Sequence, residues 1–229
     1  MKEDTSTGAD SVGSGKPMIC KPDLVEPWRI FRIMAEFVDG FDLLQKYGLA
    51  ATFFGSTRCT LDDAHYKTAE DLAARLSKAG FAIVTGGASG IMEAANKGAY
   101  EAKGPSVGLN IKLPHEQKHN PYLTDMHNFS HFFVRRVMLS FASEVYIFFP
   151  GGFGTLDEFF EILTLVQTRK IKQIPIILVG REYWTPLLVY METTLYTRYK
   201  AVDAEDLKLY HLVDTVDEAY ALTMQLAHC

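Results

Sequence analysis

The stretch VYIFFPGGFGTLDEFFEIL, residues 145–163, joins an apolar run to three glycines within four positions and then to the acids Asp157 and Glu158. Glycines at the start of a helix let a ligand approach unpaired amides at the positive end of the helix dipole, which makes an anion site. A carboxylate one turn further on can move a proton or stabilise a developing cation. A second reading needs no ligand. Thr155 followed three residues later by Glu158 fits a capping box, with Thr155 as N-cap and Glu158 reaching back to it.

Two other stretches end apolar runs in small residues, FFGSTR (53–58) and VTGGASGIME (84–93). Two glycine-bearing turns at one sheet edge point to a phosphate-bearing ligand, although tight strand–helix turns alone would use the same residues. Neither turn has the G-x-G-x-x-G spacing of a dinucleotide site, and GSGKP near the N-terminus lacks the spacing and hydroxyl residue of a P-loop. In HFFVRRVML (131–139) two arginines stand in an apolar helical pattern. Adjacent helical residues diverge by about 100°, so Arg135 and Arg136 point differently, and one is a candidate to face the cleft. HEQKH (115–119) matches the zinc-protease pattern literally. Pro114 and the Asn-Pro at 120–121 leave little room for the helix that would bring both histidines together, even with His127 and His131 as extra ligands. Cys59 is a candidate nucleophile or, more simply, a small residue lining the pocket.

These residues need a scaffold to position them. The pattern predicts a helix from Pro27 with Trp28, Phe31, Met34, Val38 and Phe41 packed on the core or on a partner subunit. Strands are predicted over 49–56, 81–87, 106–111, 144–149 and 174–180. Helices are predicted over 62–79, 90–102, 130–142, from the 150s to about 168, and near 183–195 and 216–227; residues after 111 read as a long polar loop. Continuous apolar strands alternating with helices predict an α/β fold, a Rossmann-like doubly wound parallel sheet flanked by helices, with an N-terminal helical extension. Residues 1–22, rich in Gly, Ser, Asp and Lys, are expected to form a disordered tail, and 23–229 a single domain.

Composition narrows the class. The chain has 229 residues, a net charge of −5, 48% hydrophobic and 22% charged residues. That is a globular composition with no basic stripe for nucleic acid. No apolar run reaches the roughly 20 residues of a membrane span, and no secretory leader is expected. Three widely spaced cysteines (Cys20, Cys59, Cys229) suit a reducing, cytoplasmic compartment.

Taken together, PGGFGTLDE (150–158), GGASGIME (86–93) and the arginine upstream of Pro150 resemble the LOG (Lonely Guy) family, the cytokinin riboside 5′-monophosphate phosphoribohydrolases, whose members have carried the label "possible lysine decarboxylase". The resemblance spans about residues 28–227. It implies a Rossmann-like fold and hydrolysis of the N-glycosidic bond of a purine nucleoside 5′-monophosphate, AMP or an N6-substituted AMP. It implies catalysis by Arg135 and Glu158, and substrate contacts from Ser56, Gly86, Gly87, Gly90, Met92, Arg136, Gly151, Gly152, Gly154 and Thr155. It further implies no metal or redox cofactor and a homodimer or larger assembly with its site near the subunit contact. The chain departs from the family's usual pattern at Ser89 and in having Arg135–Arg136 where an Arg-Lys pair is common. A decarboxylase would need a pyridoxal-phosphate lysine, for which no constellation stands out. The rival is a non-catalytic nucleotide or molybdenum-cofactor carrier, which shares the glycine arrangement.

Overall fold

The computed structural model describes residues 27–112 and 119–227. The predicted tail at 1–22 and residues 115–118 of HEQKH lie outside the described residues. In chain order the elements are α1 (Arg29–Leu44), β1 (Ala50–Phe54), α2 (Ala64–Lys78), β2 (Ala82–Thr85), α3 (Ile91–Glu101), β3 (Ser106–Ile111), β4 (Asp125–Phe129), α4 (Phe132–Ser140), β5 (Val145–Phe148), α5 (Phe153–Gln167), β6 (Ile176–Val179), α6 (Arg181–Tyr190), β7 (Tyr210–Val213) and α7 (Val216–Leu226). A π-helical segment, Met191–Arg198, extends α6.

The seven strands form one parallel sheet in the order β4-β3-β2-β1-β5-β6-β7. The chain winds outward from β1 to β4, then returns to pair β5 with the other side of β1, in register from Ala51↔Val145 to Phe54↔Phe148. The topological switch point therefore lies between β1 and β5, where open α/β sheets bind ligands beyond the strands' carboxyl ends.

Alternation along each strand feeds two cores. Phe54, Val84, Leu109 and Phe148 pack on one face with Met138, Phe159 and Trp184 from α4, α5 and α6. Phe53, Ile83, Ile147 and Phe149 pack on the other with Leu72, Leu76, Ile91 and Ala219 from α2, α3 and α7. Both faces are covered, which is why the central strands read as unbroken apolar runs.

Three expectations need correction. β4 (DMHNF) arose where a polar loop was expected, and β7 was missed; both are edge strands, short and half-exposed, so neither carries the apolar run of a buried strand. The apolar stripe of α1 does not pack on the core: Trp28, Phe31, Met34, Val38 and Phe41 all face outward, and α1 is seated by Gly40, Leu43 and Leu44 instead. Among the described residues no helix is long and apolar enough to cross a membrane.

Candidate active site

A cavity of about 850 Å³ opens at the carboxyl ends of β1 and β5. Its wall combines the β1 turn (Gly55–Arg58), Gly86, Ala88 and Met92 from the β2–α3 turn, Phe132 and Arg135 from α4, and Pro150–Thr155 with Glu158 from the β5–α5 turn. Tyr183 of α6 completes it. The turns are laced together by backbone: Ser56 N donates to Pro150 O at 3.0 Å, and Ile91 N donates to Ser56 O at 3.0 Å. The Tyr183 hydroxyl donates to Gly151 O at 2.7 Å, holding the glycine turn from above.

Helix α5 begins at the cavity. Its N-cap is Gly152, no side chain caps it, and the first intrahelical bond runs from Leu156 N to Gly152 O at 3.1 Å. The amides of Phe153, Gly154 and Thr155 thus precede the ladder and sit at the helix's positive end beside the cavity. Thr155 lies inside the first turn rather than before it, so the capping box expected with Glu158 does not form. Among the described residues a full capping box forms instead at Thr215–Glu218, at the start of α7.

Freed from capping, Glu158 is 6% exposed, and its Oε2 has no hydrogen-bond partner among the described residues. Burial pushes its carboxyl up to about 7; Arg135 and Arg136 oppose that rise, while Glu161 and Asp157 add to it. A buried carboxylate oxygen without a partner, in a residue that lines a cavity, is costly to maintain for structure alone and marks a functional candidate. Arg135 is held by its Nε, which donates to Leu109 O at 2.7 Å, and burial lowers its pKa while the charge of Glu158 opposes that fall. Its guanidinium lies where a Cβ on residue 86 would be, so Gly86 is what admits it. Arginine stays cationic here, as its ordinary value is far above neutrality.

The β2–α3 turn rests on a buried polar network. Thr85 Oγ1 accepts from Gly87 N at 2.8 Å and donates to Asn96 Oδ1 at 2.6 Å. Asn96 Nδ2 donates to Ser106 Oγ at 2.8 Å, and Asn120 Nδ2 donates to Asn96 Oδ1 at 2.9 Å and to Ala88 O at 3.1 Å. Gly90 has φ +72°, and a Cβ there would strike the backbone of Ser56 and Thr57.

Of the predicted site residues, the fold brings Arg135, Glu158, Ser56, Gly86, Met92, Gly151, Gly152, Gly154 and Thr155 to the cavity wall. Gly87, Gly90 and Arg136 are not part of that wall. The two glycines shape the turn behind it. Arg136, rotated away from its neighbour, donates through Nε to Glu161 Oε2 at 2.9 Å and lies 3.4 Å from Asp157. Cys59 is off the cavity, packed against the α2/α3 core, and burial with the nearby Asp63 pushes its thiol up to about 11, which leaves it a poor nucleophile. His127 packs edge-on to Phe129, and His131 Nδ1 lies 3.1 Å from Glu36 Oε2, so the two serve separate neighbours. Tyr183 and the Asn96 network escaped sequence reading because a lone tyrosine or asparagine in a helix carries no spacing signal.

The fold and site define a Rossmann-type α/β protein with a glycine-lined cavity at the switch point. The family model described as "Possible lysine decarboxylase" matches residues 92–223, and the chain belongs to that family, the LOG family. It is 30% identical over 129 residues to a cytokinin riboside 5′-monophosphate phosphoribohydrolase of Rhodococcoides fascians, a match that covers 54% of this chain and 64% of that protein. In fold it resembles the molybdenum cofactor binding protein of Rippkaea orientalis, with TM-score 0.59 and 20% identity over 79% of this chain and 96% of that one. It also resembles the molybdenum cofactor carrier protein of Chlamydomonas reinhardtii, with TM-score 0.58 and 21% identity over 78% and 97% of the two chains.

Proposed function

We propose that the protein hydrolyses the N-glycosidic bond of a purine nucleoside 5′-monophosphate, AMP or an N6-substituted AMP, releasing free base and ribose 5-phosphate. The observation that carries this reading is Glu158, a buried carboxylate with one oxygen lacking a partner among the described residues, on the wall of the same cavity as the open amides of α5. The 5′-phosphate would sit on the amides of Phe153–Thr155, complementing the helix dipole. That anchor would leave the anomeric carbon near Glu158. Bond cleavage develops oxocarbenium character on the ribose, which a carboxylate stabilises, and the same group can activate water or attack directly. Arg135 would grip phosphate, orient Glu158 or assist the departing base, since it cannot stabilise a cation. Both remain proposed roles, as do the substrate contacts of Ser56, Gly86, Met92, Gly151, Gly152, Gly154 and Thr155. The assembly is proposed as a homodimer or larger and the compartment as cytoplasmic. Residues 23–229 are proposed as one domain.

The carrier reading draws on the fold shared with molybdenum-cofactor carriers. A carrier has no use for an unpaired carboxylate buried beside an anion site, and the hydrolase reading is preferred on that ground. Pure protein incubated with AMP, and separately with N6-isopentenyl-AMP, is expected to release base and ribose 5-phosphate, and Glu158→Gln is expected to release neither. Tight binding of a nucleotide without cleavage by the wild type would move the carrier ahead.

A further inference from the structure

Helix α4 brings Phe132 and Arg135 to the cavity wall, yet little in its own sequence holds it there. It is nine residues long, no side chain of its own caps it, and its first turn contains no acid. An isolated helix of that length is marginal in water, so its position depends on its neighbours.

The missing cap comes from α1. Along the inner face of that helix Ile33, Phe37, Gly40 and Leu44 follow helical spacing, and Glu36, 14% exposed, stands among them. Gly40, one turn from Glu36, brings the two helices close: a Cβ there would strike the Met138 side chain of α4. A carboxylate in a stripe that packs on the core is costly unless it is paired. Here both oxygens are used. Glu36 Oε1 accepts from Ser130 N at 2.9 Å, and Oε2 accepts from His131 N and from His131 Nδ1, each at 3.1 Å. Burial raises the Glu36 carboxyl, but these bonds outweigh it and hold the group below the usual carboxylate range. The anion therefore sits at the positive end of α4, bound to the two amides that lead into the helix.

His131 in turn begins the turn that bears Arg135, since Arg135 N donates to His131 O at 3.2 Å. The Arg135 side chain is fixed by its Nε, which donates to Leu109 O at 2.7 Å. The arginine thus has two anchors, one on the sheet and one on α1. We infer that Glu36 is a positioning residue: by clasping the start of α4 it sets where Arg135 stands relative to Glu158. Glu36 lies outside the family-matched residues 92–223, so α1 serves the site without lining it. What Arg135 does once placed rests on the hydrolase reading; its placement does not.

A double-mutant cycle of Glu36→Ala with Arg135→Ala separates positioning from support of the fold alone. Glu158 reports on Arg135 without any nucleotide, because the Arg135 charge opposes the rise of its carboxyl. Its titration is followed by carboxyl 13C NMR, the signal being assigned by its loss in Glu158→Gln. Arg136, Asp157 and Glu161 also act on Glu158 and are the same in every protein of the cycle. Glu36→Ala is expected to raise the Glu158 midpoint by part of the shift that Arg135→Ala causes, and to add nothing in the Arg135→Ala background. Base release from AMP is expected to fall roughly tenfold in kcat/KM with Glu36→Ala alone, again with no further loss in the double variant. Glu36→Gln keeps an acceptor oxygen for one amide and is expected to fall between wild type and Glu36→Ala. It takes the place of Glu36→Ala in the cycle should circular dichroism show that variant misfolded. An unmoved Glu158 midpoint, or the same shift in both backgrounds, would overturn the inference. A wild type that releases no base but shows the coupled midpoints would sink the hydrolase reading and leave the positioning role standing.

Discussion

Glu158 concentrates the chemistry because two opposing influences meet on it. Burial raises its pKa to about 7 from 4.5, and Arg135 limits the rise. The folded chain therefore holds this proton more tightly than the unfolded chain. The resulting stability is fully present below about pH 4.5 and is lost as pH rises through 7, a swing of roughly 3 kcal/mol. Glu158→Gln has no such swing. Urea unfolding at pH 4.5, 6 and 8 is expected to show the variant matching wild type in acid and exceeding it in base; parallel curves at every pH would contradict this. If the ionised carboxylate does the chemistry, kcat/KM rises with pH to a plateau above about 7, and the variant loses some 10²–10⁴-fold. Arg135→Ala removes the charge that opposes Glu158's rise. The acid limb of its pH profile is expected to move upward, and an unmoved limb would show the two groups uncoupled.

At the scale of elements, the site depends on turns being brought close. Gly90 opens α3 with φ +72° against the backbone of Ser56 and Thr57. Gly90→Ala is expected to cost on the order of 1–3 kcal/mol, visible as a lower Tm, since neither the backbone conformation nor the space suits a side chain. Asn96 is fully buried and joins Thr85, Ser106 and Asn120 in one network. Asn96→Leu strands those three partners and is expected to cost about 3 kcal/mol or more, with KM rising because the β2–α3 turn loses its support. Retention of both wild-type Tm and KM would assign the network no role. The glycine positions were legible from spacing alone. The network was not, because its members lie on β2, α3, β3 and the loop before β4.

For the molecule as a whole, binding and turnover are separable. A nucleotide at 100 times its Kd stabilises the fold by about 2.7 kcal/mol. Thermal shift with AMP is therefore expected to persist in Glu158→Gln while base release disappears; a lost shift would mean that Glu158 serves binding. The order of the buried elements, the doubly wound class and the strand ends where ligands gather were readable in the chain, because buried parallel strands must be apolar throughout and the turns that follow must be small; the half-exposed edge strands β4 and β7 were not. Family membership was readable in PGGFGTLDE and GGASGIME. What only the tertiary structure decided depends on direction. A helical repeat states that α1 has an apolar face but not whether that face turns inward, and here it turns out. Two adjacent arginines must diverge, but only the packing of α4 sends Arg135 to the cavity and Arg136 to Glu161. Thr155 and Glu158 have capping spacing, yet the helix begins at Phe153, so the hydroxyl falls inside the first turn and one buried oxygen of the carboxylate has no partner among the described residues. Spacing along a chain fixes which side chains share a face; packing fixes what that face meets.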